Sequence, residues 1–249
     1  MSFLDAPQCA RVLLDRPELP DAAAIADSLS RRHPGLRAEP TPPSRNLIEP
    51  GSDVQTLRVG AQAVIVSLIR RPARTSSLAW TYALPIWPDI LDAASFHQAH
   101  LLVSTMGPQP AEPLTRARTI TATIGSILDL LPSASTVVWI SAVARPAAIW
   151  RQDSLASFAP SPEFPFLLWV NILPIQTTEG IVVSSDGLTT FHKSDIRVPK
   201  AQRHDLRLFG GLHITSWMQS RETIQNQTSS RETMKWYGSA MTYPNASML

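Results

Sequence analysis

The stretch Ala99-His-Leu-Leu-Val-Ser-Thr-Met106 is the strongest structural signal in the chain, because it has the length and apolar content of a buried strand. Two further apolar runs follow it, Thr136-Val-Val-Trp-Ile-Ser-Ala142 and Phe164-Pro-Phe-Leu-Leu-Trp-Val-Asn-Ile-Leu173. Between the first two, a helix is predicted from Pro113 to the breaker Pro132, with apolar residues recurring at three- and four-residue spacing. Buried strands that alternate with amphipathic helices predict a core packed from both.

The N-terminal part of the chain shows a similar order of elements. A short strand is predicted at 10–14, followed by a helix that begins near Asp21 and ends at Pro34-Gly35. Two strands are then predicted at 54–59 and 61–69. The order strand, helix, strands therefore occurs twice, which is the pattern expected of two similar halves.

The segments around these elements are less regular. Residues 38–53 contain four prolines and predict a surface loop. The aromatic stretch Leu78-Ala-Trp-Thr-Tyr-Ala-Leu-Pro-Ile-Trp87 precedes a helix predicted from Pro88 to about Gln98. The remaining predicted elements are a helix from Pro146 to about Phe158, a hairpin of 165–173 with 180–184, and a short strand at 196–199.

We therefore predict an α+β fold in which two similar halves of β-α-β-β type form mixed sheets covered by helices. The predicted segments are an N-terminal half at 8–72, an aromatic connector and helix at 73–98, a C-terminal half at 99–205 and a divergent tail at 206–249. From Gln219 onward the chain is rich in Ser, Thr, Gln, Asn and Met without an apolar period. We expect this tail to be poorly ordered or stabilised by a partner.

Composition excludes several classes of protein. The net charge is only +2, and no long cationic stripe is present, so no nucleic-acid partner is expected. The single cysteine, Cys9, cannot form an internal disulfide and is expected to be a buried structural thiol in a reducing cytoplasm. No apolar stretch approaches membrane-spanning length, and the N-terminus lacks the pattern of a secretory signal. These features predict a cytoplasmic protein without a membrane partner.

The chain carries no recognisable catalytic motif. Its 10 glycines form neither a dinucleotide fingerprint nor a Walker loop, and no serine lies in a Gly-x-Ser-x-Gly elbow. His97 and His100 could present two imidazoles at a helix-to-strand junction, but Asp89 and Asp92 do not complete a known metal-ligand pattern with them. We expect no catalytic residue, no cofactor and no metal.

The aromatic connector is the most informative segment for function. Trp80, Tyr82 and Trp87 lie in an irregular stretch between the two halves, where they either pack the halves together or form a binding hot spot. Arg70 and Arg74 lie just before them. Because tryptophan, tyrosine and arginine dominate interface energies, these five residues are the candidate partner-binding set.

An ordered series of motifs resembles a bacterial family, domain-of-unknown-function family 4261, over about residues 8–205. The resemblance implies a protein without established enzymatic activity, similar to proteins encoded near secretion-system and polymorphic-toxin genes. Residues 206–249 do not reproduce the family's closing amphipathic helix. The motifs that carry the resemblance are Trp87-Pro88, His97-Gln-Ala-His100-Leu-Leu-Val-Ser104, Pro113-Leu-Thr-Arg-Ala117, Val137-Val-Trp139, Phe166-Leu-Leu-Trp-Val170, Gly187-Leu-Thr-Thr-Phe191 and Asp195-Ile-Arg-Val-Pro199.

Three functional hypotheses remain open on the sequence. The first is a non-enzymatic cytoplasmic protein that binds another protein, as a toxin-neutralising immunity protein or a secretion-system accessory factor acting by steric occlusion. The second is an enzyme or small-molecule binder with a pocket between the two halves, in which His97 or His100 supplies the polar group. The third is a structural subunit that associates with itself through the aromatic segment. The oligomeric state is not determined by the sequence.

Overall fold

A computed structural model of the chain describes residues 8–42, 53–74, 79–80, 83, 87, 90–106, 112–140, 143–160 and 163–198. Three short 3-10 helices lie at Ser154–Ala156, Phe166–Leu168 and Leu188–Phe191. The α-helices of the described part are α1 (Ala22–Arg32), α2 (Ile90–Ser95), α3 (Pro113–Leu130) and α4 (Ala147–Asp153). The strands there are β1 (Cys9–Leu14), β2 (Ala38–Pro40), β3 (Val54–Val59), β4 (Gln62–Ile69), β5 (Ala99–Met106), β6 (Ala134–Trp139), β7 (Val143–Pro146), β8 (Asn171–Thr177), β9 (Gly180–Asp186) and β10 (Arg197–Val198).

Seven of these strands form one sheet in the order β2-β3-β4-β5-β1-β6-β7. The remaining three form a small sheet in the order β10-β9-β8. The α+β class is therefore confirmed. The described strands pair only antiparallel, where the sequence predicted mixed sheets. Tight turns join β3 to β4 and β8 to β9, and such short connections permit only antiparallel pairing.

The first strand occupies the centre of the large sheet. β1 pairs with β5 on one side and with β6 on the other, so a strand from the predicted half at 8–72 lies between two strands from the predicted half at 99–205. The segment boundaries stay a prediction, but β1–β4 of the first half and β5–β7 of the second share the large sheet. The predicted tail at 206–249 lies outside the described residues.

Most predicted elements occur where expected, and three differ. The loop predicted at 38–53 contains the short edge strand β2, and the helix predicted from Pro146 ends as an α-helix at Asp153. The strand predicted at 165–173 begins only at Asn171, because the preceding residues form a 3-10 turn. In that segment Phe164, Phe166 and Leu168 are buried and Leu167 is exposed, so burial alternates as it would in a strand and does not reveal the turn.

Helices cover one face of the large sheet. Alternate residues of β1, namely Ala10, Val12 and Leu14, are fully buried in the main core on this face together with Ile25 of α1 and Ile124 of α3. The hydroxyl-rich α3 fits there because Thr119, Thr123 and Ser126 each donate to a carbonyl oxygen four residues earlier in the helix.

An aromatic cluster closes this core. Trp169 lies against Trp139, Phe164 and Phe191, with ring centroids 5.7–6.3 Å apart. The indole N–H of Trp169 donates to the hydroxyl of Thr121 over 2.7 Å. These contacts join the sheet, α3 and the turn before β8. None of the helices in the described ranges is long and apolar enough to cross a membrane.

The opposite face of the large sheet is covered by a second, smaller set of residues. Leu13 of β1 and Val138 of β6 point to this side and are fully buried. They pack with Ala79, Ala83 and Ile90 of the connector and with Ala144 of β7. The described residues of the aromatic connector therefore pack on the face that α1, α3 and α4 leave open, and the candidate functional site lies on this face, at the end of β4 and the start of β5.

Candidate functional site

The loop that follows β4 is held by two histidines at the start of β5. The main-chain N–H of Ala73 donates to Nε2 of His97 over 2.8 Å. Nδ1 of His100 lies 2.9 Å from the carbonyl oxygen of Arg71, so Nδ1 carries the proton of this contact. His100 and Ile69 lie opposite each other in the pairing of β4 with β5. The register of the sheet therefore places both imidazoles next to residues 71–73.

Burial and nearby charges define the environment of the two imidazoles. His97 and His100 are buried, with exposed fractions of 8% and 5%. Burial lowers the pKa of His100, and the positive charges of Arg11, His97 and Arg71 lower this pKa further against the opposing effect of the hydrogen bond to Arg71. A proton on Nε2 of His97 would remove the acceptor for Ala73. Among the described residues, the contacts of His97 and His100 hold the backbone of the loop at 71–73 in place.

The anchored loop carries three arginines, Arg70, Arg71 and Arg74, all of them exposed. The guanidinium of Arg70 forms an ion pair with Asp53 at 2.7 Å. The main-chain carbonyl of Asp53 accepts a hydrogen bond from Leu68, so this carboxylate is positioned by the adjoining strand. Within the part of the chain that the structure describes, neither Arg71 nor Arg74 forms an ion pair.

Two tryptophans of the connector pack on the same side of the large sheet as the loop residue Ala73. Trp80 and Trp87 are half-buried, and together with Ala73 they pack against the cluster that contains Leu13 and Val138. Tyr82, the other aromatic residue of the candidate set, lies outside the described residues. We refer to Arg70, Arg71, Arg74, Trp80 and Trp87 as the arginine–tryptophan surface.

The structure describes four of the five candidate partner-binding residues: Arg70 and Arg74 on the histidine-anchored loop, and Trp80 and Trp87 against the cluster that contains Leu13 and Val138. Ala73 of the arginine loop packs against the same cluster as the two tryptophans. The sequence singled out Arg70 and Arg74 but did not identify what positions them. The positioning groups are Asp53, His97 and His100, and their roles depend on strand pairing between segments distant in sequence.

Other residues considered for chemistry are not assembled into a reactive group. No set of three or more His, Cys, Asp or Glu residues in the described ranges could hold a metal ion. Cys9 is half-buried rather than buried, and burial raises the pKa of its thiol although the charge of Arg11 opposes this. A raised pKa disfavours the reactive thiolate at neutral pH.

One buried polar network was not anticipated from the sequence. Burial lowers the pKa of Arg145 to about 10, and Asp153 partly opposes this shift. The guanidinium donates to the carbonyl oxygens of Leu167 and Ala144 and to Oδ1 of Asn171. Arg145 thus ties the edge strand β7 to the small sheet. A lone arginine in the apolar run Val143-Ala-Arg-Pro146 was the available signal for it.

Two carboxyl groups extend this network in the small sheet. Burial raises the pKa of Asp186, although a hydrogen bond with Asn171 opposes the shift. Burial also raises the pKa of Asp195, which accepts hydrogen bonds from the Ser185 hydroxyl and the Leu188 N–H, each over 3.0 Å. These bonds hold the loop between β9 and β10, which is a structural role.

Comparisons with protein-family models, curated proteins and solved structures find no match for this chain. The resemblance to domain-of-unknown-function family 4261 therefore stays a prediction.

Proposed function

We propose that this chain is a non-enzymatic protein-binding module that contacts its partner through the arginine–tryptophan surface. The observation that carries the proposal is the anchoring of the loop at 70–74: His97 and His100 fix its backbone while its arginine side chains remain exposed. A loop fixed in this way loses little conformational entropy on binding, which favours affinity.

The composition of the surface supports the proposal. Tryptophan and arginine are enriched among the residues that contribute most to binding energy, and half-buried tryptophans offer apolar area that is already held in place. Trp80 and Trp87 are held by packing against the sheet, while Arg71 and Arg74 extend the same surface with charge. An apolar centre with a charged margin is the usual anatomy of a protein interface.

The resemblance to family 4261 narrows the proposal to two kinds of protein-binding protein. It favours an immunity protein that neutralises a toxin, or a secretion-system accessory factor, acting by steric occlusion. The alternative of a pocket that uses His97 or His100 is not favoured by the described geometry, because both rings already contact the backbone of the arginine loop.

The test is affinity purification of the tagged full chain from its native host, followed by binding measurements with the purified partner. We expect to recover one stoichiometric protein that binds the chain directly. The Trp80→Ala variant should bind this protein at least about tenfold more weakly than wild type does, as for an interface hot spot. Phe158→Ala is the matched control, because Phe158 is a partly exposed aromatic residue that packs on His33, distant from the loop in sequence and fold. Equal affinity of Trp80→Ala and wild type, with both folded, would remove Trp80 from the interface.

A further inference from the structure

The arginine loop has an excess of positive charge that the described residues do not neutralise. Three arginines occur within residues 70–74, and Asp53 pairs with only one of them, Arg70. The guanidinium groups of Arg71 and Arg74 form no ion pair with the described residues. The charge of Arg71 also contributes to the lowered pKa of His100, after the larger effect of burial. Positive potential therefore accumulates on this side of the sheet.

The loop presents these groups in a defined geometry. The carbonyl oxygen of Arg71 and the N–H of Ala73 are both fixed by histidines, so the backbone that carries the two guanidinium groups is held at two points. Guanidinium groups bind carboxylates through paired hydrogen bonds whose strength depends on such alignment. The half-buried rings of Trp80 and Trp87, which pack against the same cluster as Ala73 of the loop, supply apolar area on this side of the sheet.

We infer that the partner contacts this surface with an acidic protein segment, in which neighbouring Asp or Glu carboxylates bind Arg71 and Arg74 beside an apolar side chain packed on Trp80 and Trp87. The inference rests on the proposed function and adds to it the chemistry of the partner. A protein segment is favoured over nucleic acid because the cations are confined to one loop. A phosphate backbone is followed by a longer cationic stripe, and the net charge of the whole chain is only +2.

The experiment measures fluorescence anisotropy of labelled probes with the full chain. The probes are a peptide of glutamates interrupted by leucines, its counterpart with glutamine in place of each glutamate, and a single-stranded RNA of equal charge. The site variant is Arg71→Gln with Arg74→Gln, which keeps the Arg71 carbonyl that His100 contacts. The matched control is Arg31→Gln with Arg197→Gln, which removes the same charge from two exposed arginines elsewhere. Thermal melts confirm that both variants are folded.

We expect the glutamate peptide to bind more tightly than the glutamine peptide and to weaken as salt rises. The site variant should bind the glutamate peptide about tenfold more weakly than wild type, and the control variant should differ from wild type by less than about twofold. Equal losses of affinity for the glutamate peptide in both variants would show that binding depends only on the net charge of the chain, and would overturn the inference. Tighter binding of the RNA than of the glutamate peptide would overturn it as well, in favour of a nucleic-acid partner.

The inference and the proposed function can fail separately. If binding of the purified partner depends on Trp80 but not on Arg71 and Arg74, the proposed function stands and the inference of an acidic partner segment is overturned. A partner whose affinity is unchanged by Trp80→Ala and by the arginine substitutions would place the interface elsewhere and overturn both.

Discussion

The two faces of the large sheet are built from alternate residues of the same strands, yet they differ in kind. In β5, Leu101 and Val103 point to the helix-covered face and are fully buried, while Leu102 and Ser104 point to the other face and are half-buried. In β1, Val12 belongs to the main core, and its neighbour Arg11 lies on the opposite face. Strands with one fully apolar face can carry polar and charged groups on the other without losing the core.

The two faces are also held by different interactions. On the helix-covered face the aromatic cluster around Trp169 contributes through buried area and ring contacts. On the other face the arginine loop is held by two hydrogen bonds to imidazoles and one exposed ion pair. Buried apolar area dominates stability, whereas exposed ion pairs contribute little. We therefore expect the first face to dominate the stability of the fold, while the proposed binding surface lies on the second.

The largest effect on stability is expected from Trp169→Ala. Trp169 is fully buried and contacts Phe164, Phe191 and Trp139, so truncation should lower the free energy of unfolding by about 3–5 kcal/mol, as measured by urea titration. Thr121→Val is the control, because it removes only the acceptor for the indole N–H and should cost about 1–2 kcal/mol. A loss below about 1 kcal/mol for Trp169→Ala would show that the aromatic cluster does not hold this face.

On the other face, Trp80→Ala is expected to cost less. Trp80 is half-buried and packs against the smaller cluster, so we expect the free energy of unfolding to fall by about 1–2 kcal/mol. The same urea titration measures both variants under identical conditions. If Trp80→Ala and Trp169→Ala proved equally damaging, the distinction between a folding face and a binding face would not hold.

The sequence predicted most of the helices and strands that form the helix-covered face, although not the turn that carries Trp169. The spacing of apolar residues located α1 and α3, and the short apolar runs located most strands, because burial on one side imposes a period on the residues. The central position of β1 was not predictable in the same way. Its partners β5 and β6 lie far along the chain, and an apolar strand alone does not specify its neighbours.

The candidate site was only partly predictable from the sequence. Trp80, Trp87, Arg70 and Arg74 stood out by residue type, but the structural role of His97 and His100 did not. Their partners are main-chain atoms of the 71–73 segment, which carry no side-chain signature in the sequence. Arg71, which like Arg74 forms no ion pair with the described residues, was not among the residues that the sequence singled out.

Acidification should destabilise both faces through one histidine on each. Burial lowers the pKa of His33 at the end of α1, with a further contribution from Arg32, and burial also lowers the pKa of His100. The unfolded chain therefore binds more protons than the folded chain between the lowered pKa values and the ordinary value of about 6.5. These contributions to stability are present above about pH 6.5 and are lost as the pH falls through the folded-state pKa values.

The contribution of the binding face is isolated by His100→Asn, in which an amide N–H takes the place of Nδ1–H. We expect the difference in free energy of unfolding between wild type and this variant to shrink between about pH 7.5 and 5, as measured by urea titration at each pH. The acids Asp153, Asp186 and Asp195, whose pKa values are raised by burial, are common to both proteins and cancel in the difference. A difference that stays constant with pH would show that His100 does not titrate differently on folding.

The smallest effect on stability is expected from Asp53→Asn. Asp53 and Arg70 are both exposed, with side-chain exposures of 39% and 59%, and such pairs contribute about 0–1 kcal/mol. Removing this carboxylate leaves the Arg70 guanidinium without its ion-pair partner and raises the net charge of the surface by one unit. The variant should therefore melt like wild type and bind the glutamate peptide more tightly at low salt, with the gain disappearing as salt screens it. A variant with unchanged stability and increased affinity for the glutamate peptide would show that the two faces contribute separately to folding and to binding. Unchanged or weaker binding by the folded variant would place Arg70 outside the acidic contact.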